Sequence, residues 1–308
     1  MRDEIKKIDE ISETQNAPEI KKEKKKLSKK AKKIIIIVVS VIVFLLVAAV
    51  VAGVCALNSY CKTKDYTVVA TADDVTLVAH RGMRSVAPEN TTASFNEAGR
   101  HGYWGAECDV YRIKDGVWIV SHDRHTYRMM DESAFIEKKT YDELMAMKVD
   151  NGVNIDKYKD LKMCSLEEYL EICKNYQMTP VIELKGENNT QYYNEIVNLA
   201  EKYNLKPVYI SFHLENLKTM RKLDTTSKMY YLVQKISEKD IEDARSILDC
   251  GIDFNGNKEA NFKNDILKKC RDQGLDLGAW TINDPEVMKK LEKNGVTLIT
   301  TDSIEYDK

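Results

Sequence analysis

From residue 75 onward the chain alternates short apolar runs with stretches of helical patterning. That alternation restricts it to parallel strands joined by crossover helices. Strands are expected over residues 76–80, 105–111, 118–122, 180–185, 208–212, 229–233, 252–255, 275–281 and 298–301. Between most of them apolar residues recur at helical spacing, as in Ile196, Leu199, Ala200 and Tyr203. Ser237 followed by Glu238 and Asp240 reads as a cap with an acidic first turn, and Gly251 lies beyond that helix. Asp284-Pro285 opens another helix, which Gly295 closes. The 118–122 run follows 105–111 across a Lys114-Asp115-Gly116 turn, a hairpin signal, and is not counted as a separate stave. The eight strands that remain fit a TIM-type (β/α)8 barrel better than an open doubly wound sheet. No G-x-G-x-x-G follows the first strand, so nucleotide binding has no support. Residues 124–179 are too long for a simple loop and contain helix-like stretches at 140–147 and 165–175. They read as an insertion and crossover after the second strand, at the catalytic mouth, with Ser165 and Glu168 forming a capping box.

The N-terminal quarter is different in kind. Residues 1–33 carry twelve Lys/Arg against seven Asp/Glu with no apolar periodicity, and read as a basic disordered tail. Residues 34–57 are uncharged throughout, and a membrane-spanning helix needs about 20 such residues. The run exceeds the apolar region of about 7–15 residues typical of a signal peptide. Val54 before Cys55 departs from a lipoprotein box, which has a small residue there. An uncleaved single-pass anchor is therefore expected. The lysines preceding it put the N-terminus in the cytoplasm and everything after the anchor outside the cell membrane. Residues 58–75 read as a linker and 76–308 as the barrel domain. Residues 58–308 hold 35 basic and 42 acidic residues, an acidic balance that argues against a nucleic-acid partner. The seven cysteines contain no C-x-x-C pair and are expected to be mostly free, buried thiols rather than zinc ligands.

Chemically capable residues gather at the expected strand ends. His80 and His122 end two different strands, and each is followed by a charged residue, Arg81 or Asp123. Histidine works as acid or base near neutral pH, and a pair supplies both halves of a displacement. Arg81 offers a planar fork suited to phosphate, and Gly82 lets the backbone turn closely past the site. Glu107 and Asp109, two apart on a strand, share one face while Cys108 takes the other. Glu183 and Lys185 repeat the spacing on the next stave. Two readings stand for these carboxylates. They hold a hard divalent cation, Ca²⁺ or Mg²⁺, or they are ion-paired strand-end residues with Lys185 neutralising Glu107. Glu89 is expected to orient a histidine or line the pocket, and Asn90 and Thr91 to cap the helix over 92–99. Trp280 ends its strand at the mouth, where it packs against a small organic group or closes the barrel top. His213 is expected near the pocket and His101 in a structural role.

In this order, His80-Arg81-Gly82, Pro88-Glu89-Asn90-Thr91, Glu107-x-Asp109, His122-Asp123, Glu183-Leu184-Lys185, Ala279-Trp280-Thr281-Ile282-Asn283 and Thr300-Thr301-Asp302 resemble the motifs of glycerophosphodiester phosphodiesterases. The resemblance covers residues 76–303. It implies a TIM-type barrel that hydrolyses glycerophosphodiesters to an alcohol and glycerol 3-phosphate. It further implies His80 and His122 as the acid–base pair, Glu107, Asp109 and Glu183 as metal ligands, Arg81 and Lys185 as phosphate-holding groups, and Trp280 against the glycerol or leaving group. The sequence departs from the family after His122, where Thr126 replaces an apolar residue and a Gly-rich turn is missing. That departure bears on substrate preference rather than on the core chemistry. The substrate is expected to be a small-molecule or lipid-derived phosphodiester. Phospholipase D-like action on lysophospholipids or an envelope polymer is one alternative, and a non-catalytic binding module on the same barrel is another.

Overall fold

The computed structural model describes residues 28–61, 66–72, 74–186, 188–263 and 265–307. They fall into two units that divide after Cys55. The first is built on α1 (Lys29–Cys61), within which Lys32–Cys55 is long and apolar enough to cross a membrane. Its large apolar side chains between Ile34 and Val54 are exposed, Phe44 to 72%. Most of the expected tail, residues 1–27, lies outside the described residues, and Lys29–Lys33 already belong to α1.

The second unit runs β1 (Thr67–Val69), β2 (Thr76–Ala79), α2 (Thr92–Arg100), β3 (Gly105–Arg112), β4 (Trp118–Val120), α3 (Tyr141–Ala146) and β5 (Cys164–Ser165). It continues through α4 (Leu166–Tyr176), β6 (Thr179–Leu184), α5 (Tyr193–Lys202), β7 (Val208–Ser211), α6 (Leu214–Leu223), β8 (Met229–Val233) and α7 (Glu238–Arg245). The last elements are β9 (Cys250–Asn255), α8 (Ile266–Asp272), β10 (Leu277–Trp280), α9 (Pro285–Lys293), β11 (Leu298–Thr301) and β12 (Ile304–Tyr306). β2, β3, β6, β7, β8, β9, β10 and β11 pair in parallel in that order, and β11 pairs back to β2. The result is the closed eight-stranded barrel that the alternation implied.

Side-chain alternation sorts the barrel into layers. Val78, Val181, Val208, Ile210, Tyr230, Leu232 and Leu298 fill the interior. Leu77, Ala79, Ile182 and Leu184 join the larger core between strands and helices, and Cys108 is buried there too. Helix entries follow the local chemistry. Thr91, Thr140, Ser165 and Ser237 each cap a helix through a reciprocal box, and Asp284 caps α9 with Pro285 at its first turn.

β4 folds back antiparallel on β3 as the turn signal indicated, and β5 pairs with β4. The insertion that follows β4 has its own core, in which Ile119, Ile136 and Leu144 are fully buried. The stretch expected as a linker contains two pieces of structure. Residues 58–61 end α1, and β1 pairs in parallel with β12, Thr67 opposite Ile304. Three residues are too short a run to register as a strand from pattern alone.

Candidate active site

Strand register gathers the carboxylates. Ala79 stands opposite Ala106, which brings His80 level with Glu107, and Asp109 is the direct cross-strand partner of Glu183. One oxygen from each of Glu107, Asp109 and Glu183 lies within 4.8 Å of the others, and all three residues are buried. Burial, followed by repulsion from Asp109 and Glu183, pushes the Glu107 carboxyl well above its usual range. Burial and the charge of Asp109 raise Glu183 to about 7, although Lys185 opposes the shift. Burial works against the charge of Asp109 as well, but Lys185 and Arg81 outweigh it and hold that carboxyl well below its usual range. Three converging oxygens, two of them on carboxyls that resist ionising together, have the donor chemistry a hard divalent cation selects.

The neighbouring cations are arranged differently from the simple pairing of Lys185 with Glu107. Lys185 Nζ lies 2.9 Å from Asp109 Oδ1 and 2.8 Å from Glu183 Oε1. Glu107 Oε2 instead accepts the Arg81 backbone N–H at 2.8 Å. Arg81 adopts a left-handed backbone (φ 57°) to aim that N–H, and Gly82 follows at φ 73°. A Cβ on Gly82 would lie 2.5 Å from Ser94 Oγ, so only glycine fits the turn. Asn90 does not cap α2. Thr91 takes that role, and Asn90 donates from Nδ2 to Asp109 Oδ2 at 2.9 Å.

Both histidines are held by aspartates. His80 Nδ1 lies 2.7 Å from Asp302 Oδ1, and His122 Nδ1 lies 2.8 Å from Asp123 Oδ1. The Nε2 edge of each ring is thereby left for chemistry. Burial, then the charge of Arg81, lowers the His80 pKa against the pull of Asp302, so this imidazole is neutral at pH 7. The two aspartates are joined by one line of ion pairs. Asp302 meets Arg84 at 3.1 Å, Arg84 meets Glu89 at 3.0 Å, Glu89 meets Arg128 at 2.6 Å, and Arg128 meets Asp123 at 2.6 Å. Glu89 also accepts from Arg81 at 2.8 Å. Burial disfavours its charge, yet the three arginines hold its carboxyl well below the usual range. The strand-end pattern pointed to the histidines but not to Asp302, Arg84 or Arg128 as their supports. Asp302 follows β11 and was open to the same strand-end rule.

His80, Arg81, Glu107, His122, Glu183, Lys185 and Trp280 line one cavity of about 130 Å³ at the C-terminal ends of the strands. Asp109 lies behind it among its ion-pair partners. The cavity has two unlike halves. Charged and titratable groups occupy the β2, β3 and β6 side. Ile210, Phe212, Leu232 and Trp280 form the facing side, together with Asp253 on β9. Trp280 packs edge-to-face on Phe212 with ring centroids 5.5 Å apart, and its Nε1 donates to the Asp253 carbonyl at 3.2 Å. His213 lies in an adjoining groove that shares Glu183 and Lys185. His101 pairs with Glu305 at 2.7 Å.

Fold and site together define a (β/α)8-barrel enzyme with its chemistry at the C-terminal mouth, the place such barrels use. The model of the glycerophosphoryl diester phosphodiesterase family matches residues 80–306. The chain belongs to that family and is a phosphodiesterase. It is 27% identical over 248 residues to a glycerophosphodiester phosphodiesterase of Caldanaerobacter subterraneus subsp. tengcongensis, covering 74% of this chain and 94% of the relative. Among solved structures it is similar to an Oleispira antarctica phosphodiesterase in complex with the product sn-glycerol-3-phosphate. That match has a TM-score of 0.67 at 27% identity over 74% of this chain and 92% of the other. A glycerophosphodiester phosphodiesterase of Parabacteroides distasonis matches with a TM-score of 0.62 at 27% identity, over 75% and 94% of the two chains.

Proposed function

We propose that this chain hydrolyses glycerophosphodiesters to an alcohol and glycerol 3-phosphate, using a divalent cation (Ca²⁺ or Mg²⁺) at Glu107, Asp109 and Glu183 and an acid–base pair of His80 and His122. The observation that carries the reading is the single cavity that joins both histidines, Arg81, Lys185 and the carboxylate cluster. When bound, the cation neutralises phosphodiester charge and stabilises the charge that develops on displacement. Lys185 and Arg81 supply fixed positive charge at the same place and orient the phosphate. His80, neutral and with Nδ1–H donated to Asp302, takes a proton at Nε2 from the water that attacks phosphorus. His122, on the more open side with its side chain 35% exposed, returns a proton from Nε2 to the departing alkoxide. Trp280 offers its ring to the carbon part of the substrate, since its N–H is already engaged.

Purified protein is expected to turn over glycerophosphocholine with Ca²⁺ or Mg²⁺ and to stop on chelation. His80→Ala and His122→Ala should each lower kcat by about 10²–10⁴-fold, the range for loss of a general acid or base. A near-normal rate in either variant removes that histidine from the pair.

We further propose that residues 34–57 anchor the enzyme in the cell membrane, with the basic tail, residues 1–33, in the cytoplasm and the barrel domain, 76–308, outside. The length of α1 and the lysines before its apolar span support this orientation.

A further inference from the structure

Asp253 is a buried carboxyl that the acid–base and cation chemistry above does not use. It is 1% exposed, lines the cavity from β9, and its Oδ1 has no hydrogen-bond partner among the described residues. An unpartnered carboxyl is costly inside a barrel, and one that persists there points to a partner that arrives with the ligand. Space is kept for it. Asp253 stands opposite Gly278 on β10, and a Cβ on that glycine would lie 2.9 Å from Oδ1.

Its position selects which part of a ligand it meets. β9 is four staves from β3 in either direction around the ring of eight, directly across from Glu107 and Asp109. Asp253 is not a member of the converging carboxylate cluster, so it does not complete that donor set. Leu232, Ile210, Phe212 and Trp280 surround it with apolar wall. The cavity of about 130 Å³ admits a compact group such as a three-carbon polyol beside the phosphate-binding side chains. Burial, then the charge of Glu183, holds the Asp253 carboxyl above its usual range, and a hydroxyl, both donor and acceptor, pairs with a carboxyl in either form.

We propose that Asp253 reads the polyol half of the substrate: a glycerol hydroxyl hydrogen-bonds its carboxyl while the glycerol carbons lie on Trp280 and Leu232. Asp253 is thus a specificity-determining residue of the site proposed above, and the inference rests on that reading of the cavity. A site built to pair a substrate hydroxyl discriminates strongly against the analogue that lacks it.

The test compares binding of sn-glycerol 3-phosphate and n-propyl phosphate to the full-length protein in detergent, with the same divalent ion throughout. The two ligands share phosphate and carbon skeleton and differ in their hydroxyls. The wild type should favour glycerol 3-phosphate by about ten- to a hundredfold, because propyl phosphate leaves the buried carboxyl without a partner. Asp253→Leu should bring the two within about threefold of each other by losing glycerol 3-phosphate affinity, with propyl phosphate bound as well as before or tighter. Asp253→Asn, which keeps a donor and an acceptor, should restore most of the preference. An unchanged ratio in Asp253→Leu, an equal loss of both ligands, or no preference in the wild type overturns the assignment. Absence of diester turnover by a wild type that still shows the binding preference would overturn the proposed reaction and leave the Asp253 assignment standing.

Discussion

Glu107 and Glu183 are carboxyls whose ionisation the barrel resists, and this gives the proposed cation site a signature that does not depend on activity. Glu183, raised to about 7 by burial and by Asp109, binds more protons folded than unfolded between about pH 4.5 and 7. Stability contributed by that group is therefore present at low pH and lost as pH rises through the folded value, by on the order of 3 kcal/mol. Glu107 shifts in the same direction. His80 acts oppositely, because its lowered pKa makes the folded state lose stability as pH falls below about 6.5. A cation bound beside it would lower that pKa further, which also weakens metal-induced stabilisation at low pH and so works in the same direction. The rise in Tm on adding Ca²⁺ or Mg²⁺ to chelated protein should thus be several degrees larger at pH 8 than at pH 5. An equal rise at both pH values, or none, removes these carboxylates from the cation site. The spacing Glu107-x-Asp109 was legible because period-two alternation fixes the shared face. The partners of Lys185 were not, since cross-strand register decides them and a single strand does not reveal its register.

At the scale of elements, the insertion contributes a support to the site. Arg128 sits in a short 3-10 turn, Thr126–Arg128, and reaches from there to both Asp123 and Glu89. It thereby fixes the aspartate that orients His122. Arg128→Ala should lower kcat about tenfold with little change in KM, since it touches positioning rather than ground-state binding. Arg128→Lys should recover only part of the rate, because one ammonium cannot replace a fork that serves two carboxylates. A change confined to KM would contradict the positioning role. Glu89 keeps two arginine partners in Arg128→Ala, so a cooperative melt should survive. The eight staves were readable because each is a run of four or more residues bounded by helix caps. Arg128 was not readable as a support, because an irregular turn has no periodicity to announce where its side chains point. The pairing of Arg84 with Asp302 was hidden for another reason: it joins residues 218 positions apart in sequence.

For the whole molecule, the anchor and the barrel make separable claims. On the proposed topology, external protease added to intact cells should release an active fragment that retains the barrel, while an N-terminal epitope stays protected until the membrane is broken. Protection of the barrel from external protease would reverse the orientation. The released fragment should begin before Thr67, because β1 is paired along its whole length with β12. A three-residue strand was invisible in the sequence, yet it pins Thr67–Val69, ahead of the barrel, to the last strand of the fold.

The unlike halves of the cavity have one more consequence. A phosphodiester has two ester oxygens that chemistry alone scarcely distinguishes. On the binding mode proposed above, a mouth with carboxylates, lysine and histidines on one wall and Trp280, Leu232 and Asp253 on the other would favour one orientation of the diester over the other. With the glycerol carbons on the apolar wall, the ester bond to the other alcohol would lie toward the charged wall that carries His122. The asymmetry of the barrel mouth would then be a regiochemical device. It would decide which P–O bond breaks, and so whether the phosphate leaves with the glycerol or with the alcohol.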